Sequence, residues 1–282
     1  MSSYLDFDKP PESYAVMGNP VAHSKSPQIH EAFARQTGKR ITYTAIQVDP
    51  GGFAQAVGNF QSHGGRGLNI TVPFKREAWE LVDERSPRAE IAGAVNTIQF
   101  RADGTLFGDN TDGIGLVRDL TANHGCKLKG KRILVIGGGG GVRGIIGPLL
   151  DEDPAELFIA NRTVDKAIAL ADSFSRKGPV NGGGYSDLDG MRFDLIINGT
   201  SLSIQGRLPP LPDTILKANG WCYDMMYGDK PTVFVQWGTD CGAQQSLDGL
   251  GMLVEQAAES FRLWHGVMPD TASVIQLLRK PN

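Results

Sequence analysis

The stretch "RILVIGGGGGVRGIIGPLLDED" runs from Arg132 to Asp153. Four apolar residues of strand character, Ile133 to Ile136, run directly into five consecutive glycines, and a helix-like run follows. A glycine turn between a strand and a helix has the form of a phosphate cradle. Gly137, Gly139, Gly140 and Gly141 allow a tight turn and close approach to the backbone. The helix N-terminus then offers unpaired N–H groups and a positive dipole end to a pyrophosphate. Val142 occupies the last position of a strict G-x-G-x-x-G pattern, and a bare flexible loop is the alternative reading of the glycines alone. Pro148 falls inside the following helix, where it removes a hydrogen bond. Gly144, four residues earlier, is placed to relieve the clash, and a kink is expected there.

The next strand-like segment, "ELFIAN", is followed by Arg162, Thr163 and Lys166. In a dinucleotide fold this position reads the adenosine ribose, and NAD sites place an acid there to bond the 2′-hydroxyl. No acid stands at Asn161 to Thr163. The planar guanidinium of Arg162 suits both stacking on adenine and pairing with a 2′-phosphate, and Lys166 adds a point charge. The pattern predicts NADP rather than NAD. A solvated basic turn with Thr163 as a helix cap is the bland alternative.

The rest of the chain sets this unit in context. It has 282 residues, 40% hydrophobic and 21% charged, which allows one large domain or two ordinary ones. A net charge of -3 argues against a general nucleic-acid binder. The apolar stretches are broken well short of a membrane span. Residues Met1 to Ser13 read as a solvated lead-in, with acids and two prolines where a signal peptide would have a basic flank and an apolar core. Cys126, Cys222 and Cys241 form neither a disulfide framework nor a zinc motif, and the histidines lack ligand spacing, so no metal is expected. A cytoplasmic, thiol-reduced protein is the expectation.

Strand-like and helix-like segments alternate throughout, which predicts an α/β fold with sheets covered by helices. The first series begins with a strand near Tyr14. A helix follows, opened by Ser26 as N-cap with Pro27 and closed by Gly38. The series ends in a hairpin around Asp103 and Gly104. A long helix, "IGLVRDLTANHG", leads into the second series. The boundary is placed at Asp112, giving a first domain over 1–111 and a second, Rossmann-like domain over 112–248. The helices of 249–282 are expected to return to the first domain.

Short polar clusters fall at the ends of the strands of the first domain: "GNPVAHSKSP", "LNITVPFK", "AVNT" and "GDNTDG". In open α/β sheets ligands bind at such ends. Each cluster has a structural reading too: Ser26 and Asp112 as helix caps, Lys75 as a surface lysine, Tyr227 as an edge aromatic, Gln256 as a solvent-facing residue. His23, beside Ser24, is given no chemistry.

These clusters, with "NRT", "YDMMY" and "DGLGMLVEQAAESF", resemble the motifs of the shikimate dehydrogenases, in the same order and over essentially the whole chain. The resemblance is to the NADP-dependent, shikimate-specific type. It implies reversible NADPH-dependent reduction of 3-dehydroshikimate to shikimate, on the route to chorismate and the aromatic amino acids. It also implies an N-terminal substrate domain, a Rossmann-like NADP domain, and an active site in the cleft between them, with hinges near Asp112 and Gly249. By the same resemblance Lys75 and Asp112 are catalytic. Ser24 and Ser26 bind the substrate carboxylate, and Asn69, Thr71, Asn96, Asp112, Tyr227 and Gln256 hold the rest of the substrate. Gly137, Gly139, Gly140, Gly141, Asn161, Arg162, Thr163 and Lys166 take NADP, with Met225 and Gly249 near the nicotinamide. The all-glycine loop, Val142 and Leu202 depart from the family pattern on the cofactor side. The partners expected are small molecules, neither nucleic acid nor membrane, for a monomer or a homodimer. The rival readings are an NAD-linked quinate/shikimate dehydrogenase, which Arg162 opposes, and a sensing module without turnover, which the presence of both Lys75 and Asp112 opposes. A third, a generic NADP reductase, is opposed by the ordered substrate-side motifs.

Overall fold

A computed structural model describes residues 10–279. The lead-in expected over Met1 to Ser13 lies outside the described residues as far as Lys9. The chain divides into two compact units. One comprises the chain through Thr111 with Ala257–Val274, and the other Asp112–Gln256 with the segment from Ile275 onward.

The first unit is built on β1 (Glu12–Gly18), α1 (Ser26–Thr37), β2 (Ile41–Gln47), α2 (Phe53–Ser62), β3 (Gly65–Ile70), α3 (Lys75–Leu81), β4 (Glu84–Arg85), α4 (Pro87–Ala92), β5 (Thr97–Phe100) and β6 (Leu106–Asp109). The strands form one mixed sheet in the order β2-β1-β3-β5-β6-β4. β1 runs parallel to β2 and β3, while β5 is antiparallel to both β3 and β6. The C-terminal ends of β1, β3 and β6 and the start of β5 therefore share one edge. Ala15, Met17, Leu68, Ile70 and Ile98 pack in one core with Phe53 and Phe74, whose rings stack at 5.1 Å. Phe74 anchors the turn after β3, and this turn delivers Lys75 as the first residue of α3.

β1 starts at Glu12, two residues earlier than expected. The N-cap position of α1 belongs to Lys25, not Ser26. Ser24 Oγ accepts the Ser26 N–H at 3.2 Å, so Ser24 satisfies one of the open donors at this end. Gly38 closes α1 in the left-handed conformation at φ 66°.

The second unit holds α5 (Asp112–Arg118), β7 (Arg132–Ile136), α6 (Gly140–Leu150), β8 (Glu156–Ala160), α7 (Val164–Phe174), β9 (Val180–Gly183), β10 (Phe193–Asn198), β11 (Leu216–Asp224), α8 (Val233–Asp240) and β12 (Gln245–Asp248). α9 (Leu250–His265) begins in this unit and ends in the first, and α10 (Thr271–Arg279) follows. The sheet is wholly parallel, in the order β12-β11-β10-β7-β8-β9. This is the doubly wound order, with the chain direction reversing beside β7. Ile133 to Ile136 are all completely buried, because helices cover both faces. Ile133 and Val135 join the cluster with Leu149, Leu170 and Met252, and Leu134 and Ile136 join the one with Phe193 and Phe234.

The long helix expected after Asp112 is α-helical only to Arg118 and ends in a π-helical turn over Asp119–Asn123. β4, β9, α8 and β12 were not foreseen. β9 reads "VNGG" and β12 "QSLD", neither with an apolar run, and α8 opens on "VFV", which has strand character. Among the described residues no helix is long and apolar enough to cross a membrane.

Candidate active site and dinucleotide site

Polar groups gather at the shared edge of the first sheet. Asn69, near the end of β3, is buried, and its amide is held on both sides. Oδ1 accepts from the Tyr43 hydroxyl at 2.7 Å, and Nδ2 donates to Ser260 Oγ at 3.0 Å and Thr97 Oγ1 at 3.2 Å. Asn96, just before β5, takes the Thr111 N–H on Oδ1 at 2.8 Å and donates from Nδ2 to Thr111 Oγ1 at 2.9 Å. Buried amides need such partners, and here they also fix which atom faces which way. Lys75 is tied to the same place through its carbonyl, which accepts the N–H of Val95 at 2.9 Å. Thr71 donates its backbone N–H to Met17 and begins the turn that contains the cis Val72–Pro73 bond. A Cβ on Gly18 would lie 2.3 Å from Thr71 Cγ2, so a glycine is required for β1 and this turn to meet.

Ser26 is buried and Ser24 partly so, at the start of α1. Tyr43 was not anticipated. Burial pushes its phenol well above the ordinary range, so it stays a protonated donor, and the Ser26 hydroxyl bonds it from the other side. Its ring stacks on His30 at 4.2 Å. An aromatic in the pattern "TYTAIQ" gives no signal beyond a strand, which is why sequence reading passed over it.

In the second unit the register aligns Ile136, Ala160, Asn198, Asp224 and Asp248 at the C-terminal ends of their strands. The glycine turn leaves this row at β7. Gly137 has φ 117°, open to glycine alone, and Gly139 is the extended N-cap residue of α6. Val142 is fully buried, and the space for it comes from Gly199: a Cβ there would lie 2.3 Å from Val142 Cγ2. The larger residue in the loop is matched by a missing side chain at the end of β10. Pro148 stays inside α6, and the carbonyl of Gly144 lies against Gly113, where a Cβ would come within 2.4 Å of it.

Met225 gathers around the same turn. Its methyl lies 3.5 Å from the Cβ position of Gly141, and its sulfur 3.1 Å from that of Gly199. Gly249 packs on the Met225 carbonyl, where a Cβ would come within 2.3 Å. Beneath them Asp224 is completely buried. It accepts from Asn198 Nδ2 at 3.0 Å, Thr232 Oγ1 at 2.6 Å and the Met226 N–H at 3.1 Å. Burial raises its carboxyl above the usual range against these bonds. The Asn198–Asp224 pair was not anticipated; an Asn and an Asp at two strand ends gain meaning only once β10 and β11 are neighbours.

Past β8, Asn161 is partly buried, its amide donating to the Thr163 carbonyl at 3.0 Å. Thr163 is the N-cap residue of α7, though its hydroxyl makes no cap bond. Arg162, Thr163 and Lys166 are exposed, and no carboxylate falls between Asn161 and Val164. A cradle without side chains, a helix N-terminus and two exposed cations past the neighbouring strand fit a dinucleotide bearing an extra phosphate. Tyr227 lies beyond Met226, its phenol pushed up by burial, and Leu202 starts a 3₁₀ turn over Leu202–Gln205. Gln256 is buried on α9, with Nε2 donating to the Leu253 carbonyl at 2.8 Å and Cβ set against Gly115. Asp112 is buried as the first residue of α5.

Comparison with known proteins covers nearly all of the chain. Residues 16–98 match the family described as shikimate dehydrogenase substrate binding domain. Residues 119–203 match shikimate / quinate 5-dehydrogenase, and residues 249–279 the shikimate 5'-dehydrogenase C-terminal domain. A shikimate dehydrogenase (NADP(+)) of Nitrosococcus oceani is 57% identical over 270 residues, 96% of each chain. That of Alkalilimnicola ehrlichii is 58% identical over 268 residues, 95% of this chain and 98% of its own. The crystal structure of an Ael1 enzyme from Pseudomonas putida aligns with TM-score 0.88 at 42% identity, over 96% of this chain and 99% of its own. Shikimate 5-dehydrogenase from Thermus thermophilus, solved with NADP(H) and shikimate, aligns with TM-score 0.85 at 32% identity, over 95% of this chain and 98% of its own.

Proposed function

The chain belongs to the shikimate dehydrogenase family, and from that premise we propose how its own residues carry out the reaction. The protein is an NADP-dependent oxidoreductase that interconverts 3-dehydroshikimate and shikimate, in the shikimate pathway that leads to aromatic amino acids. When bound, NADPH supplies the hydride.

We assign the dinucleotide to the second unit. The N–H groups of Gly139, Gly140 and Gly141 at the start of α6 receive the pyrophosphate, and Gly137 gives the turn its direction. Arg162 and Lys166 take the 2′-phosphate, with Asn161 and Thr163 beside them. Met225 and Gly249 border the nicotinamide end.

Substrate is assigned to the first unit's polar edge. Ser24 and Ser26 bind the carboxylate at the α1 N-terminus, and Asn69, Thr71 and Asn96 bond the ring oxygens. Tyr227 and Gln256 supply further contacts. Asn69 and Asn96 are preset by their buried partners, so little reorganises on binding. Reduction of a ketone leaves charge on its oxygen. The Lys75 ammonium stabilises that charge and hands a proton to it. Asp112 orients the lysine and holds a substrate hydroxyl. A cytoplasmic location accords with three cysteines that are all free thiols.

The observation that supports this scheme is the gathering of the Lys75 backbone, Asn96 and Thr111 at one sheet edge of the first unit. Reduced-nicotinamide absorbance with shikimate, offering NADP+ and NAD+ separately, tests it. Wild type is expected to turn over with NADP+. Lys75→Ala is expected to lose about 10²- to 10⁴-fold in kcat while shikimate binding persists. Equal use of NAD+ would overturn the role of Arg162, and an active Lys75→Ala would overturn that of Lys75.

A further inference from the structure

Behind the polar edge two buried carboxylates meet a partly buried arginine and an exposed one. Asp109, the last residue of β6, is 3% exposed. Its carboxylate accepts from Ser86 Oγ, from the Asn110 N–H at 2.7 Å, and from two nitrogens of Arg88, with Nε at 2.7 Å. Nη2 of Arg88 also donates to Oε1 of Glu259 at 3.2 Å. Glu259 sits on α9 and is 1% exposed. It is gripped in turn by Arg262, at 3.1 Å from Nε and 2.7 Å from Nη2. Two acids and two arginines balance in charge.

Burying the two carboxylates makes this array a poor source of net stability, because desolvation offsets the Coulomb attraction. Its geometry is more informative. The carbonyl of Asp109 accepts the N–H of Asn96 at 3.0 Å, and Thr111, two residues on, bonds the Asn96 side chain. At the other end Ser260, next to Glu259, bonds Asn69 Nδ2 at 3.0 Å and Thr97 Oγ1 at 2.8 Å. Arg88 thus spans the two backbones from which the polar edge is hung: the end of β6, and α9. Its fork reaches both Asp109 oxygens and Glu259 together, which a lysine's single nitrogen does not reproduce.

We propose that Arg88 is a positioning residue for substrate recognition, setting Asn96 through Asp109 and Asn69 through Glu259 and Ser260. This rests on the reading of Asn69 and Asn96 as substrate-binding groups. Arg88 touches no substrate in this scheme, so its loss acts on the placement of the two amides.

The test compares wild type, Arg88→Lys and Glu259→Gln, with Arg101→Lys as control, since Arg101 pairs with exposed Glu84 at 2.8 Å in the same unit. KM for shikimate, KM for NADP+, kcat and thermal midpoint are measured for each. Arg88→Lys is expected to raise KM for shikimate about tenfold, the order of one charge-assisted hydrogen bond lost from the array, with KM for NADP+ unchanged. Glu259→Gln is expected to move KM the same way by less, and decides the matter if Arg88→Lys does not fold. A lowered midpoint with an unchanged KM for shikimate in the folded variants would overturn the proposal. Wild type without shikimate turnover would overturn the underlying reading instead, and the inference with it.

Discussion

His30 is expected to make the first unit acid-labile well above the carboxylate range. It lies on α1 with no exposed surface, in a cage of Tyr43 at 4.2 Å, Trp264 at 5.4 Å, Phe33 at 6.0 Å and Phe261 at 6.2 Å. Among the described residues neither ring nitrogen has a partner of hydrogen-bonding geometry. Burial, with a smaller contribution from nearby His265, lowers its pKa to about 3 from the ordinary 6.5. The unfolded chain therefore binds a proton that the folded chain refuses between those two values. Stability is complete above about pH 6.5 and falls as the pH is lowered toward 3, below which both states are protonated and the loss stops. Near pH 5 the unfolded imidazole is almost fully charged, and the loss relative to pH 8 is about 2 kcal/mol; full titration would bring it to about 5 kcal/mol.

The perturbation is His30→Phe, which keeps an aromatic ring in the cage and removes the titration. Urea unfolding followed by tryptophan fluorescence, between about pH 8 and pH 5, measures the loss in each protein; hydrogen exchange on the α1 and β2 peptides assigns it to the first unit. Wild type should lose about 2 kcal/mol more than the variant over that range. At pH 8, where the imidazole is neutral in both states, the two proteins should differ little in stability. Parallel pH dependences in the two proteins would refute the reasoning. If His30→Phe is overpacked, His30→Leu repeats the comparison.

Two further outcomes concern the dinucleotide side. Arg162→Ala should raise KM for NADP+ about 10- to 100-fold, the range of a lost charge-assisted bond, while leaving the steady-state rate measured with NAD+ unchanged. Gly199→Ala should cost about 1 to 3 kcal/mol in unfolding free energy and weaken NADP+ binding, because its Cβ would meet Val142 Cγ2 at 2.3 Å. Adding Val142→Ala should restore both in calorimetry and titration, and a double variant no better than the single would remove the link between the two positions.

Much of this protein was legible in the sequence because its signals are local. Strand, glycine turn and helix follow one another at Arg132 to Leu150, so their order can be read within that one stretch. The exchange of acid for Arg162 sits at a fixed place after the next strand. Ordered motifs from Gly18 to Phe261 point to the family without any knowledge of contacts.

What tertiary structure alone decided is pairing between distant segments. Val142 departs from the glycine pattern of the loop, and the room for it comes from Gly199 at the end of a distant strand. Tyr43, His30, the Asn198–Asp224 pair and the Arg88–Asp109–Glu259–Arg262 array carry no spacing signal, since their partners lie on other strands and helices. β9 and β12 formed without apolar runs because the neighbouring strands supply their hydrogen bonds. Local chemistry follows from neighbours along the chain. Burial, and with it the fate of a histidine's proton or the value of an arginine's fork, depends on which distant residues the fold brings alongside.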